Sequence, residues 1–205
     1  MAKNIMYHQS VAENNKDSFS EYDSIDVVLV APGRKLLKNS ITMDFELEVK
    51  TDGTTAKAVA DQIRYNNKIG VHSFFESWSV STLNGNLEQL NAYPVFMSQM
   101  ASCTLDDNDY FSADLLSEGR GPTQQNAEIG CESVAANGAN GALATNDSQL
   151  PQYCIKPMIS LNRMAGDDWS FDKSGQIRIS CNLARAVQAF NGRSATSASS
   201  YAISK

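Results

Sequence analysis

The chain has 205 residues, a formal net charge of -6 at pH 7 and a pI near 4.9. This net negative charge argues against non-specific electrostatic binding to nucleic-acid backbones, because such binding requires clustered Lys and Arg. Single sandwiches and barrels often reach this length undivided, so we expect one domain over residues 25–190, a flexible arm at residues 1–24 and a flexible tail at residues 191–205.

No leader or membrane span is expected, because the N-terminal stretch is polar and no apolar run approaches the roughly 20 residues of a spanning helix. The four cysteines are far apart and form no Cys-x-x-Cys pair. They predict reduced, partly buried thiols rather than a zinc or redox site, although an even count also permits disulfides. No cofactor is expected.

The first two predicted strands follow the arm. SIDVVLVAP at residues 24–32 is a β-branched run that ends at Pro32 and Gly33. ITMDFELEVK at residues 41–50 then alternates strictly, with apolar side chains at the odd positions. Its apolar face is expected on the core, and its acidic face, with Glu46 and Glu48, is expected toward solvent or a neighbouring subunit.

A short helix is predicted at residues 56–63, and a hairpin follows it. Phe74, Trp78 and Val80 share one face of the first hairpin strand, and Asn84-Gly85 is the pair that a type I′ turn demands. Pro94 then suits the first turn of a helix, whose apolar stripe is formed by Val95, Phe96, Met97 and Met100.

Residues 119–151 are rich in Gly, Asn and Ala without a sustained period, which predicts a long loop and a candidate contact surface. Strands resume in QYCIKPMISLN, where Pro157 indicates an edge position or a bulge. A second hairpin is predicted through residues 173–175. It leads into a clean alternation with four residues facing the core: Ile177, Ile179, Cys181 and Leu183.

Residues that would support catalysis are few. The two histidines are His8 in the arm and His72, which is expected at a strand edge, and no nucleophile motif accompanies either one. We therefore expect no enzyme. A group of aspartates lacks the spacing of a calcium loop, so a solvated loop is favoured over a cation that bridges subunits: Asp106, Asp107, Asp109 and Asp114.

Two segments resemble a known family. The run IGVHSFFESWSVSTLNGNLEQLNAYPVFMSQM at residues 69–100 resembles capsid proteins of the adenovirus, polinton and virophage lineage. In that lineage a Gly-x-His-Ser stretch opens a strand, and a Leu-Glu-x-Leu run and a Tyr lead to a helix. Residues 153–192 are similar to the closing strands of the same barrel. Major capsid proteins of the lineage fuse two barrels, whereas 205 residues hold one.

The resemblance implies an all-β fold, a single jelly-roll β-sandwich of antiparallel sheets with short helices in its loops. It implies a non-enzymatic virion protein, a major capsid or penton subunit in an icosahedral shell. Its partners would be other capsid proteins and copies of itself in a trimer, pentamer or hexamer, without direct nucleic-acid binding. Candidate interface residues are Glu46, Glu48 and the apolar side chains of the arm: Ile5, Met6, Tyr7, Val11 and Phe19.

Two alternatives use the same strand patterns. A carbohydrate-binding β-sandwich or host-attachment module would be expected to expose several Trp or Tyr as a sugar platform. Only Trp78 and Trp169 occur, and Trp78 falls on a predicted core face. A β-sandwich enzyme is the second alternative, and it lacks a recognisable triad or set of metal ligands.

Overall fold

A computed structural model describes residues 6, 10, 12, 16–50, 68–104, 118, 152–163, 168–189 and 200–204. Within these residues the chain forms ten strands: β1 Ser18–Ser20, β2 Ser24–Leu29, β3 Lys35–Leu36, β4 Met43–Lys50, β5 Phe75–Thr82, β6 Gly85–Leu90, β7 Gln152–Ile155, β8 Trp169–Ser170, β9 Ile177–Leu183 and β10 Ser200–Ser204. The prediction of a mainly β chain with antiparallel sheets and few short helices is confirmed.

The strands form two four-stranded antiparallel sheets, with orders β1-β10-β4-β7 and β2-β9-β5-β6. The two-residue strands β3 and β8 pair separately. Each of the other eight strands belongs to one of four pairs that are nested along the chain, and the pairings β10–β4 and β9–β5 join these pairs into sheets. The first strand pairs with the last, the second with the last but one, β4 with β7, and β5 with β6.

The two sheets share one hydrophobic core, because each long strand turns alternate side chains inward. In β9 the predicted alternation is confirmed, since Ile177, Ile179, Cys181 and Leu183 are all buried. In β4, Phe45 and Leu47 are buried. The ring of Phe45 meets that of Phe75 in the opposite sheet, edge to face, with 5.9 Å between centroids.

The β5–β6 hairpin is confirmed, but its turn differs from the predicted one. Thr82 pairs with Gly85, so the two loop residues are Leu83 and Asn84. A type I′ turn needs positive φ at both loop residues, and neither has it. Instead, the Thr82 hydroxyl accepts the N–H of Asn84 at 3.3 Å, and Gly85 takes the φ of 143°.

The second predicted hairpin, through residues 173–175, is wrong. Trp169 pairs with Leu36 of β3, not with β9. Residues Phe171–Ser174 form a helical turn, which Gly175 ends with a φ of 70°. A bare Lys-Ser-Gly signal therefore marked the end of a helical turn rather than a strand connection.

Helix α1 spans Tyr93–Thr104 and begins, as predicted, with Pro94 in its first turn. Its buried face carries Tyr93, Met97 and Ala101, which are four residues apart. Val95 was assigned to the apolar stripe, but it is 60% exposed. Among the described residues no helix is long and apolar enough to cross a bilayer. The other helical segments are short: the 3-10 helix Gly70–Phe74, Ser160–Arg163, Phe171–Ser174 and Ala186–Ala189.

Both predicted termini contribute strands. β1 lies within the stretch assigned to the arm, and β10 lies within the stretch assigned to the tail, where it occupies the position between β1 and β4. β7 is an edge strand, and Pro157 follows its end. The helix predicted at 56–63 and the loop predicted at 119–151 lie outside the described residues.

Candidate subunit interface

The arm residues that the structure describes contact the rest of the fold at several places. Phe19 is only 7% exposed and pairs with Ile203 in the sheet, so it belongs to the core of its own subunit. Met6 is 63% exposed, and its Sδ accepts a hydrogen bond from Nη1 of Arg34 at 2.6 Å. Ala12 is half-buried against the core. The other predicted arm residues lie outside the described part: Ile5, Tyr7 and Val11.

Asp23 ties the arm to the turn between β1 and β2. Its carboxylate accepts Nζ of Lys16 at 2.7 Å and the backbone N–H of Ser20 at 2.9 Å. The hydrogen bond from Lys16, followed by that from Ser20, lowers the pKa of Asp23 below its ordinary value. Its backbone carbonyl accepts the N–H of Leu183 at 2.9 Å, so this turn is also fixed to β9.

Glu46 and Glu48 lie on the face of β4 opposite Phe45 and Leu47, as the alternation predicts. Both are half-buried. Oε1 of Glu46 accepts Nε2 of Gln152 in the neighbouring strand β7 at 3.0 Å. This acidic face is therefore the outer surface of the first sheet.

The described strand connections that carry exposed apolar side chains lie at two ends of the sheets. At one end, Gly33 N–H donates to Asp172 at 2.9 Å and the Asn84 amide donates to the Lys173 carbonyl at 3.4 Å. Three apolar side chains are exposed on the connections at this end: Val30, Leu37 and Leu83, at 50%, 37% and 69%.

The opposite end joins the β1–β2 turn to the segment after β9. Tyr22 N–H donates to the Leu183 carbonyl at 3.3 Å, and Ala186 N–H donates to Glu21 at 3.0 Å. Tyr22 is 62% exposed, with the Arg185 guanidinium 5.4 Å from its ring centroid, and Val187 is 76% exposed. Both ends thus present apolar groups to solvent beside polar ones.

A buried polar cluster of His72, Tyr93 and Glu118 fixes the edge of the fold near β7. His72 was expected at a strand edge, but it lies in the 3-10 helix and is fully buried. Its Nδ1 is 2.9 Å from the Tyr93 hydroxyl, and its Nε2 is 3.2 Å from Oε2 of Glu118. The Tyr93 hydroxyl accepts the N–H of Met158 at 3.0 Å.

These contacts place both ring nitrogens of His72 beside oxygen atoms, Nδ1 beside the Tyr93 hydroxyl and Nε2 beside the Glu118 carboxylate. Glu118 also accepts the N–H of Lys156 at 3.0 Å, while its carbonyl accepts the N–H of Val71 at 2.9 Å. The cluster therefore joins the 3-10 helix, α1 and the end of β7.

No local sequence pattern predicts this cluster as a whole. His72 and Tyr93 stand in the segment that carries the resemblance, but Glu118 lies in a stretch without periodicity, and only the fold brings it to His72. Buried polar groups that are hydrogen-bonded to the surrounding loops stabilise one arrangement of those loops. The cluster has the character of a structural clamp.

None of the described cysteines forms a disulfide: Cys103, Cys154 and Cys181. Burial, followed by the hydrogen bond with Asp44, raises the pKa of Cys154 to about 11. Burial also raises the pKa of Cys181. No group of three His, Cys, Asp or Glu side chains that could hold a metal ion occurs in the described part of the chain. The four clustered aspartates and His8 lie outside it.

Comparison with protein families gives no match to any family model, and no curated protein is significantly similar to the chain.

Proposed function

We propose that this chain is a single jelly roll and serves as a structural subunit of a viral shell. The observation that carries the proposal is the nested pairing of eight strands in two four-stranded sheets. A jelly roll arises when a long antiparallel ribbon of paired strands rolls into two facing sheets, and shell proteins are among the principal users of this fold. The first strand then pairs with the last, as β1 and β10 do.

The placement of the connections agrees with a shell subunit. Two sheets around one core form a rigid block, and the loops at its two ends are the parts free to meet neighbours. Exposed apolar side chains at both ends, such as Leu83 and Val187, favour contact with other proteins. The partners would be copies of this chain and other capsid proteins, and the protein would reside in the virion.

The segment that resembles the capsid lineage also has the succession of elements expected from the resemblance. Gly70–Phe74 leads into β5, the β5–β6 hairpin follows, and α1 starts at Tyr93. The net charge of -6 favours packaging of the genome by other means than a basic arm.

The carbohydrate-binding alternative has less support. A sugar platform requires exposed aromatic rings, and Trp78 is only 3% exposed while Trp169 is half-buried. Tyr22 is the aromatic side chain that the described residues expose most, and it lies beside Arg185. A glycan array with the purified chain tests this alternative directly, and saturable binding to one glycan class would favour it.

Electron microscopy of the purified chain over a range of concentrations tests the shell proposal. We expect rings or closed particles of discrete size, with trimers, pentamers or hexamers as the building units. Leu83→Asp and Val187→Asp should reduce assembly while the circular dichroism stays unchanged, and Asp44→Asn, on an exposed β4 position, is the matched control. The proposal would be overturned if the chain stays monomeric at every concentration and is missing from purified virus particles.

A further inference from the structure

The buried polar cluster of His72, Tyr93 and Glu118 contains two groups that change their charge in mild acid. The side chain of His72 is fully buried, and that of Glu118 is only 8% exposed. A glutamate is almost never buried to this extent without a partner, because burial removes its hydration. Nε2 of His72 and Oε2 of Glu118 lie 3.2 Å apart, so the charge of each group affects the other.

The contacts of the Glu118 side chain favour its ionised form. One carboxylate oxygen accepts the backbone N–H of Lys156 at 3.0 Å, and the other faces the imidazole of His72. Hydrogen bonds to an ionised acceptor are about twice as strong as those to a neutral one. These contacts oppose the effect of burial, which on its own favours a neutral carboxyl group.

The backbone of Glu118 belongs to the same junction. Its carbonyl accepts the N–H of Val71 at 2.9 Å, directly before His72. One residue therefore holds the 3-10 helix through its backbone and the chain after β7 through its side chain. Helix α1 joins them through the Tyr93 hydroxyl, which lies 2.9 Å from Nδ1 of His72 and accepts the N–H of Met158. A change at the carboxylate thus acts on all three segments.

Other titratable groups of the described residues surround the pair. The charge of Glu118 acts on the thiol of Cys154, whose pKa is raised by burial and by Asp44 before Glu118 adds its effect. The short helix Ala186–Ala189 packs against the 3-10 helix and has no titratable side chain. The groups on the remaining neighbours are Tyr93 on α1, Cys154 and Lys156 at β7, Asp44 on β4, and Tyr201 on β10, which bonds to the Phe74 carbonyl.

Acid changes the balance between the two charges. Below the ordinary pKa of glutamate, about 4.3, histidine carries a positive charge and a solvated glutamate is neutral. A proton on Glu118 would leave a charged imidazole in a fully buried site beside a neutral carboxyl group, which is unfavourable. In an open form both protonated groups are hydrated. The open form therefore binds more protons, so the closed form is stable above this pH range and is lost as the pH falls through it.

We propose that the cluster is an acid-sensitive clamp that opens locally when Glu118 takes up a proton and separates the 3-10 helix Gly70–Phe74 from the chain after β7. The two sheets stay formed, because their strands pair through backbone hydrogen bonds outside the cluster. The inference does not depend on the proposed shell function, since every contact lies within one subunit. In a shell, the clamp would make the edge of the fold near β7 responsive to acid.

The fluorescence of Trp78 reports the opening, because its ring lies 5.7 Å from that of Tyr93. Trp169→Phe leaves Trp78 as the only tryptophan of the chain. We expect a reversible change in its emission between about pH 6 and about pH 3.5, on either side of the ordinary glutamate value, while the far-UV circular dichroism stays constant. Addition of Glu118→Gln should abolish this change, because the amide takes up no proton in this range.

Asp23→Asn is the matched control in the same background. It removes another carboxylate that accepts hydrogen bonds, but one outside the cluster, so the emission change should remain. Three results would each overturn the inference: the same transition in Glu118→Gln, its loss in Asp23→Asn, or no change in emission before the circular dichroism signal collapses.

Hydrogen exchange tests the clamp in the unsubstituted chain. The amides of Val71 and Lys156 both donate to Glu118. After correction for the intrinsic effect of pH, they should exchange at least tenfold faster at about pH 3.5 than at about pH 6, while the amide of Ile179 in the central strand β9 is unchanged. Equal acceleration at all three amides, or none at Val71 and Lys156, would overturn local opening. Neither result bears on shell assembly, which electron microscopy tests separately.

Discussion

Replacing Glu118 with Ala should destabilise the fold more than any other single change of a charged residue discussed above. The carboxylate accepts the N–H of Lys156 and faces Nε2 of His72, and Glu118 is only 6% exposed. A buried donor that loses its acceptor costs about 1–3 kcal/mol. We expect a loss of about 2 kcal/mol, since Lys156 is only half-buried while His72, which also faces the carboxylate, is fully buried.

Urea denaturation followed by tryptophan fluorescence measures this loss as a lower midpoint. Glu118→Gln keeps an acceptor for Lys156 but removes the charge, so its loss should be about half as large. Glu46→Ala is the matched control, because Glu46 accepts a hydrogen bond on the exposed outer face of β4. It should change stability by about 0.5 kcal/mol or less. Equal losses in Glu118→Ala and Glu46→Ala would refute the assignment of the cluster as a clamp.

Further predictions concern the core, the arm and the thiols. Phe45→Asp places a charge between the sheets and should make the chain insoluble on expression, whereas Glu46→Lys should fold. The reverse result would mean that the assignment of β4 residues to the two faces of the sheet is shifted by one residue. The pKa of Asp23 is lowered in the folded chain, so the ionised carboxylate stabilises the fold at neutral pH. This stabilisation is lost as the pH falls below the ordinary pKa of about 3.9 and through the lower pKa of the folded chain. Asp23→Asn should therefore make the melting temperature less dependent on acid pH. At pH 8, iodoacetamide should label exposed Cys103 about a hundred times faster than Cys154, as mass spectrometry of the peptides would show, and comparable rates would contradict the raised pKa of Cys154.

The long alternating strands could be predicted from the sequence, because a strand that is buried on one face has apolar residues at every second position. β9 shows this best, since every second residue from Ile177 to Leu183 is buried. β4 shows it in Phe45 and Leu47. The helix at Pro94 was also predictable, because proline fixes the backbone of a first helical turn.

The short strands could not be predicted, because three to five residues carry too little of any period. β1 has a single apolar residue, Phe19, and its role in the core depends on its pairing with Ile203 at the other end of the chain. β10 offers only Tyr201 and Ile203. Both segments are rich in serine, which by composition favours an arm or a tail.

The buried cluster escaped prediction for a different reason. A histidine, a tyrosine and a glutamate more than 20 positions apart form no local pattern, and each is individually typical of a surface. Their contact depends on the 3-10 helix that places His72 inward and on the return of the chain to Glu118. Such groups come together only once the surrounding fold exists.

The position of β10 bears on how the chain folds during synthesis. β10 lies between β1 and β4, so β1 has no strand partner in this sheet until residues 200–204 have been made. The pairing of Phe19 with Ile203 closes a loop of more than 180 residues, and contacts so distant in sequence form late and slowly. The first sheet is therefore completed only after residues 200–204 have left the ribosome, and a nascent chain that stops short of residue 200 exposes the edge of β4 to chaperones and to other nascent chains.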